Sequence, residues 1–242
     1  ISKPFDEAEL LRVVGNAVAT SEVVDREGAS APTGEWFGMV GGSPAWLDLA
    51  AYLEGETAYL AYHQCRTLWG EQELPSRIHW TSIDAFCDQI LSTQRIDCRL
   101  RYNDWVRQKR QITRSYLEQF QQAEKEILIC CSYFLPGPLL RQKLAQALKR
   151  NVRVRVILTG ISDVPFAKSA ERYLYRWMLN RGIEIYEYQS NVLHAKVSTI
   201  DDRWTTIGSY NLNEVSALAS LEANLDVRDR DFAISTRLLL DQ

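Results

Sequence analysis

The stretch NVLHAKVSTIDDRWTTIGSYN, residues 191–211, decides the fold of this chain and carries most of its chemistry. Its polar residues lie among β-forming neighbours, so we expect two consecutive strands here. Side chains alternate between the faces of a strand, which predicts that His194 and Lys196 share one face and that Ser209 and Asn211 share a face of the next strand. The two strands would then gather an imidazole, an ammonium, a hydroxyl and an amide in one pocket.

This set of groups suits a phosphate. Lys196 supplies positive charge, Ser209 and Asn211 donate hydrogen bonds to oxygens, and His194 attacks phosphorus or transfers a proton near neutral pH. Asp201, at the end of the first strand, is predicted to hold a loop or a neighbouring polar group rather than to touch substrate. An exposed His-Lys pair on a half-buried strand would explain His-x-Lys alone, but not the whole set at this spacing.

Composition describes an ordinary globular protein. The chain has 242 residues, 46% of them hydrophobic, and a net charge of −3 from 28 basic and 31 acidic residues. No global positive field therefore draws it to nucleic acid or to anionic lipid, which leaves only a local basic patch for such contacts. The five cysteines are an odd number without metal spacing, which favours a reducing compartment with buried thiols.

The expected location is the cytoplasm or the inner surface of a membrane. No run approaches the roughly eighteen apolar residues of a spanning helix. The opening ISKPFDEAELL lacks the pattern of a signal peptide. Contact with a membrane would then be peripheral.

The second half of the chain alternates strand and helix, which predicts a mainly parallel or mixed sheet flanked by helices. The predicted strands are 127–134, 152–158 and 183–188, and the predicted helices between them are 138–150 and 167–180. Residues 103–126 are predicted to form one long amphipathic helix before the first of these strands.

A weak internal repeat places Leu47–Tyr59 over Leu221–Ala233, each with an acid early in a predicted strand. The repeat makes Asp48 the counterpart of Glu222. It predicts that Asp48 orients His194 across a pseudo-two-fold axis. No His-x-Lys motif occupies the corresponding position of the first copy.

HAKVSTID and GSYN resemble the phospholipase D superfamily pattern His-x-Lys-x4-Asp followed by Gly-Ser-x-Asn, at every fixed position. A closer resemblance, to bacterial cardiolipin synthases, lies in NDWVRQKRQITRSYLEQF, in SYFLPGPLL and in the residues from IEIYEY to GSYNLN. The segment PAWLDLAAYLEGE resembles the end of such an enzyme's first half. The resemblance implies an α/β sandwich of two pseudo-symmetric halves. Residues 1–102 would hold an incomplete or degenerate first half with a connecting region, and 103–242 a complete second half.

The resemblance also implies a reaction and its residues. One histidine attacks a phosphodiester to give a phosphohistidine, a second protonates the leaving alcohol, and an incoming alcohol takes the phosphatidyl group. Phosphatidylglycerol would be both donor and acceptor, and no metal or other cofactor is needed. The implied catalytic set is His194, Lys196, Asp201 and Glu222, with Lys196, Ser209 and Asn211 on the phosphate and Asp48 as an orienting group.

The chain departs from that family in having a single His-x-Lys motif. His63 and His79 are followed two residues later by Cys65 and Thr81, so neither fits the pattern. Three alternatives remain open: a homodimer completes the site with a second copy of His194, the first half is degenerate, or residues of the natural polypeptide are absent from this sequence. We favour an incomplete or degenerate first motif.

Two other functions stay open beside phosphatidyl transfer. One is a phosphodiesterase or nuclease, which the net charge disfavours. The other is a catalytically silent module that binds phospholipid. The basic run from Arg107 to Arg114 would meet anionic headgroups in a membrane-bound enzyme, although such a helix face is more often simply solvated.

Overall fold

The computed structural model describes residues 21–22, 46–51, 56–69, 96–107, 109–162 and 164–242. Its strands are β1 (Ser21–Glu22), β2 (Trp46–Leu47), β3 (Ala50–Ala51), β4 (Asp97–Asp104), β5 (Lys109–Arg110), β6 (Glu126–Cys131), β7 (Arg153–Ile161), β8 (Glu184–Leu193), β9 (Lys196–Ile200), β10 (Trp204–Gly208) and β11 (Leu221–Arg228). Its helices are α1 (Glu56–Trp69), α2 (Gln111–Gln122), α3 (Pro138–Lys149), α4 (Pro165–Leu179), α5 (Glu214–Leu218) and α6 (Arg230–Leu240).

A nine-stranded mixed sheet runs through the molecule in the order β2-β8-β7-β6-β9-β10-β11-β4-β5. Strands β2, β8, β7 and β6 pair in parallel, whereas every pairing from β6 through β9 to β5 is antiparallel. Parallel neighbours need a crossover, and α3 and α4 provide it between β6, β7 and β8. The predicted α/β class with a mixed sheet is confirmed.

Apolar side chains cover both faces of this sheet. The larger cluster lies under α2, α3 and α4 and includes Tyr116, Phe120, Leu144 and Met178. A smaller cluster on the opposite face contains Phe232 of α6. The central strand β6 reads EILICC because it is covered on both sides, and it shows a continuous apolar run instead of alternation.

The predicted helix over 103–126 is wrong in its first third. Residues 97–104 form β4, which pairs with β11 along its whole length, and the helix begins only at Gln111. The Asn103 side chain holds this junction, because its Oδ1 accepts the Ile112 N–H at 3.0 Å and its Nδ2 donates to Thr113 Oγ1 at 2.9 Å. Pairing with a distant strand therefore overrides the helical periodicity of the sequence.

The first of the two strands predicted in 191–211 is also interrupted, within VLHAKVSTI (residues 192–200). Strand β8 ends at Leu193 and β9 begins at Lys196, so His194 and Ala195 form the bend between them. The prediction that His194 and Lys196 share one face of a single strand is therefore wrong. Likewise β10 ends at Gly208, and Ser209 and Asn211 lie beyond it.

The predicted domain boundary after residue 102 falls inside β4. Both β2 and β4 belong to the same sheet as the strands from the second half. The division into an incomplete first half and a complete second half stays a prediction. In the described part of the chain, no helix is long and apolar enough to span a membrane.

Candidate functional site

Most of the predicted polar site residues lie at one edge of the sheet. The four parallel strands all end at this edge, and the antiparallel pairings make β9 and β11 begin there and β10 and β4 end there. Residues that follow or open these strands are thus brought together from distant parts of the sequence. They are Asp48 after β2, His194 after β8, Lys196 at the start of β9, Ser209 and Asn211 after β10, and Glu222 near the start of β11.

Asp48 contacts His194 directly. Strand β2 is parallel to β8 with Leu47 opposite Leu193, so the next residues, Asp48 and His194, lie side by side. Asp48 Oδ2 is 2.7 Å from His194 Nδ1, and both side chains are about one-third exposed. The other carboxylate oxygen accepts the Leu49 N–H at 2.9 Å, which fixes its orientation. A carboxylate on Nδ1 selects the tautomer with its proton there, which makes Nε2 the unprotonated ring nitrogen.

Lys196 is buried beneath this pair, with 4% of its surface exposed. Its Nζ donates to the backbone oxygen of His194. The ammonium therefore holds the bend that presents the imidazole, and it contributes a positive charge to the same cavity.

The turn after β10 is built on a close backbone approach. A Cβ on Gly208 would lie 2.2 Å from the Ala223 oxygen, so only glycine fits. Asn224 Oδ1 accepts the Tyr210 N–H at 3.1 Å and its Nδ2 donates to Thr206 Oγ1 at 3.1 Å. These bonds fix the position of the residues that follow Gly208.

Glu222 lies across this turn from the hydroxyl of Ser209. That hydroxyl donates to the Glu222 carboxylate and accepts the Ala223 N–H at 3.1 Å. The structure thus places Glu222 on a predicted phosphate-binding side chain at the rim of the site.

The amide of Asn211 is oriented by a thiol. Cys131 Sγ lies 3.6 Å from Asn211 Oδ1 and accepts the Leu212 N–H at 3.5 Å. Burial raises the pKa of Cys131 to about 11, so the group is a thiol at neutral pH and donates its proton. With its Oδ1 accepting from that thiol, Asn211 presents its NH2 group to the cavity.

Asp201 lies at the opposite edge of the sheet, separated from Lys196 by the length of β9. Its carboxylate accepts the N–H groups of Glu124, Lys125 and Glu126 at 2.8, 2.8 and 2.9 Å. Its backbone is in the left-handed region with φ of 54°. These contacts are those of a loop anchor for the β9–β10 turn.

A cavity of about 550 Å3 opens at the edge of the sheet where these polar residues lie. Its polar lining residues are Asp48, His194, Lys196, Ser209, Asn211 and Asn224, and its apolar lining residues include Leu49, Leu100, Ile207 and Leu225. Such a cavity fits an anionic group joined to an apolar chain.

Two contributors, Asn224 and Cys131, were not predicted from the sequence. Asn224 alternates with Glu222 and Asp226 along β11, so a polar period of two was the available signal. Cys131 gave no such signal, because its contact with Asn211 depends on the position of β6 in the sheet.

The remaining histidines do not extend the site. His63 is exposed on α1, with its ring 4.3 Å from that of Tyr59. His79 lies outside the described residues. In the described ranges, no cluster of three or more His, Cys, Asp or Glu side chains is arranged to hold a metal ion, and the absence of a cofactor stays a prediction.

Known proteins share this region. Cardiolipin synthase B of Salmonella typhi is 41% identical over 121 residues, which are 50% of this chain and 29% of that protein. The minor cardiolipin synthase ClsB of Bacillus subtilis is 32% identical over 117 residues, 48% of this chain and 29% of that protein. A solved phospholipase D family member, Nuc from Salmonella typhimurium, gives a TM-score of 0.48 at 19% identity and covers 58% of this chain and 89% of its own.

This chain therefore spans less than a third of the length of the cardiolipin synthases that it matches. The family model described as "Cardiolipin synthase, PLD-like domain" matches residues 116–238, about half of the chain. The matched segment contains His194, Lys196, Ser209 and Asn211. The chain belongs to the family of cardiolipin synthase, phospholipase D-like domains.

Proposed function

We propose that this chain carries one histidine centre of a cardiolipin synthase-type phosphatidyltransferase, which moves a phosphatidyl group between phosphatidylglycerol molecules. The observation that carries the proposal is the 2.7 Å contact between Asp48 and His194 at a cavity that also holds Lys196, Ser209 and Asn211. Membership of the family and the names of the matching relatives support it.

The transfer proceeds in two displacements at phosphorus. An imidazole nitrogen forms a bond to phosphorus while the bond from phosphorus to the glycerol oxygen breaks, and that oxygen takes a proton from a second histidine. A hydroxyl of another phosphatidylglycerol then attacks, gives its proton to the same second histidine, and the nitrogen–phosphorus bond breaks. His194 fits either role, because Asp48 stabilises an imidazolium in both.

The other groups stabilise charge on the phosphoryl oxygens. Lys196 supplies a fixed ammonium, and the Asn211 amide supplies N–H donors from a turn that glycine packing holds rigid. The Ser209 hydroxyl has a single proton, so it donates to a phosphoryl oxygen only after it rotates away from Glu222. Glu222 is the acceptor that orients the Ser209 hydroxyl in this structure. Asp201 acts at a distance, by anchoring the strand that carries Lys196.

The scheme requires a second histidine, supplied by a second copy of the chain in a homodimer or by a first-half segment. Metal-independence and peripheral contact with a membrane are parts of the proposal. The net charge of −3 disfavours a nucleic acid substrate.

The test is release of glycerol and formation of cardiolipin from phosphatidylglycerol vesicles, in the presence of EDTA. The wild type is compared with His194→Ala and, as a matched control, His63→Ala. We expect turnover by the wild type and the control, and none by His194→Ala.

Turnover that survives in His194→Ala would contradict the site assignment. No turnover by any of the three proteins would exclude a second copy of the chain as the source of the second histidine and would contradict turnover by this chain alone. Binding of lipid without turnover would then identify a silent module. Nicking of DNA that depends on His194, without lipid turnover, would establish the nuclease instead.

A further inference from the structure

The hairpin between β4 and β5 carries an exposed tip beside the cavity. We call residues 105–107 and 109–110 the hairpin tip; Gln108 lies outside the described residues. The base of the hairpin is fixed to the site, because Asp104 pairs with Leu221 and Asn103 pairs with Glu222. The tip therefore projects from the same edge of the sheet as Ser209 and His194.

The tip exposes large apolar side chains. Trp105 is 57% exposed and Val106 is 64% exposed. Leu221, at the base of the hairpin, is 52% exposed, and on the adjacent helix α5 Val215 is 65% and Leu218 is 49% exposed. Apolar groups concentrated at the mouth of a site, instead of scattered singly, mark a surface that meets an apolar partner.

Cations accompany these apolar groups. Arg107, Lys109 and Arg110 of the tip and Arg114 on the first helical turn of α2 are all exposed. Arg107 pairs with Asp104 at 2.9 Å, whereas among the described residues the other three cations form no ion pair. This local positive charge stands against a net charge of −3 for the whole chain.

We propose that the hairpin tip and α5 insert into the surface of an anionic lipid bilayer and hold the cavity mouth at the level of the headgroups. Tryptophan favours the boundary between lipid and water, and lysine and arginine beside it attract anionic headgroups. A second copy of the chain fits this surface less well, because a two-fold contact through the tip would set its cations against one another. A nucleic acid would meet the cations but not Val106, Val215 and Leu218.

This inference rests on the proposed function only for the identity of the substrate, since binding to a bilayer is measured without turnover. Sedimentation with vesicles compares equal mixtures of phosphatidylglycerol and phosphatidylcholine with phosphatidylcholine alone. The test variants are Lys109→Gln/Arg110→Gln and Trp105→Ala/Val106→Ser. The matched controls are Lys125→Gln/Lys149→Gln, at the opposite edge of the sheet, and Tyr173→Ala, an aromatic residue of α4 that is 85% exposed.

We expect the loss of two cations, at about fivefold each, to weaken partitioning onto anionic vesicles by about 25-fold. The apolar variant should also lose binding, and the two controls should bind as the wild type does. His194→Ala should bind normally, which separates this proposal from the catalytic one. If the wild type turns over lipid, the tip variants should be slow on vesicles and unimpaired on a short-chain phosphatidylglycerol dissolved as monomers.

Tip variants that bind anionic vesicles as well as the controls do would overturn the proposal. The proposal is also wrong if Lys125→Gln/Lys149→Gln loses as much binding as Lys109→Gln/Arg110→Gln. If light scattering shows that tip variants dissociate a dimer while vesicle binding is unchanged, the surface is an interface between copies. Circular dichroism of each variant verifies that it is folded.

Discussion

At the scale of single residues, the proposed chemistry of the cavity depends on the carboxylate of Asp48. It contacts His194 Nδ1 at 2.7 Å and is itself held by the Leu49 N–H. A carboxylate in this position fixes the ring and stabilises its positive charge during phosphoryl transfer. We therefore propose that Asp48 is a positioning residue that acts through His194.

Asp48→Asn should lower kcat for phosphatidyl transfer by about 10- to 100-fold, the usual effect of removing such a partner. KM for phosphatidylglycerol should change much less, because the phosphate donors are intact. Asp48→Glu, which keeps the charge, should recover part of the loss. Steady-state kinetics on vesicles measures this, and an unchanged kcat in Asp48→Asn would show that the contact has no catalytic part.

Gly208 is the second residue on which the site depends. An added Cβ would lie 2.2 Å from the Ala223 oxygen and 2.6 Å from Asn224 Oδ1. Gly208→Ala should therefore cost about 1–3 kcal/mol of unfolding free energy and displace Ser209. In the control Gly137→Ala, the nearest atom is the flexible Glu214 carboxylate at 3.0 Å.

Urea unfolding of both glycine variants measures this difference. Equal losses of stability in the two variants would contradict the account of the turn. A Gly208→Ala protein with wild-type stability would contradict it as well.

Some of these site residues could be predicted from the sequence and others could not. The types and spacing of His194, Lys196, Ser209 and Asn211 predict a phosphate site, and the weak repeat predicts Asp48 as the partner of His194. The thiol of Cys131 could not be predicted, because its contact with Asn211 arises only when β6 pairs with β9.

At the scale of elements, the β9–β10 turn is anchored by Asp201. Its carboxylate accepts three backbone N–H groups from the segment that opens β6. Asp201→Ala should lower the unfolding free energy by about 2–4 kcal/mol, since hydrogen bonds to a charged group are lost and their donors lose their partners.

The same variant separates anchoring from catalysis. Activity per folded molecule of Asp201→Ala should stay close to that of the wild type below its unfolding transition. Turnover and an unfolding curve on one preparation measure both quantities. A fully folded variant without turnover would assign Asp201 a direct part in the reaction.

Local periodicity predicts elements well only where pairing partners agree with it. The crossovers through α3 and α4 followed from alternation of strand and helix. The segment 103–110 reads as helix, but its pairing with β11 and the turn at Trp105 make it strand and hairpin. The bend at His194 was missed for the same reason, because β8 and β9 join different neighbours.

At the scale of the whole molecule, a buried carboxylate beneath the sheet makes stability depend on pH. Asp226 is 4% exposed, accepts a hydrogen bond from Ser115, and has an Oδ1 without a hydrogen-bond partner among the described residues. Burial raises its pKa above the ordinary value of 3.8, although the bond from Ser115 opposes that shift.

Between the ordinary and the raised pKa, the folded protein holds a proton that the unfolded chain has released. The unfolding free energy attributable to Asp226 therefore falls as pH rises through that window. Asp226→Asn removes this dependence, so its stability relative to the wild type should be higher at pH 7 than at pH 4. Urea unfolding at both pH values measures the difference, and a value that is the same at both would contradict the assignment.

The fold class follows from the sequence at this scale, whereas the division into halves stays a prediction. Strand β2 precedes residue 103 and β4 spans it, and both belong to the sheet that carries the site. Short strands such as Trp46–Leu47 have too few residues to show a period, and their place is decided by partners far along the chain. The source of the second histidine also depends on the whole molecule, because either a second copy of the chain or a first-half segment would have to supply it.

The most direct test of the central claim is whether His194 and Lys196 bind a phosphodiester, measured without any turnover. The chain has only three histidines, so their ring signals in an NMR spectrum of histidine-labelled protein can be followed during a titration with glycerophosphoglycerol. We predict that the His194 signals move saturably while those of His63 stay fixed, and that Lys196→Met abolishes the movement in a folded protein. His194 signals whose chemical shifts do not change during the titration, or change equally in Lys196→Met, would contradict the account.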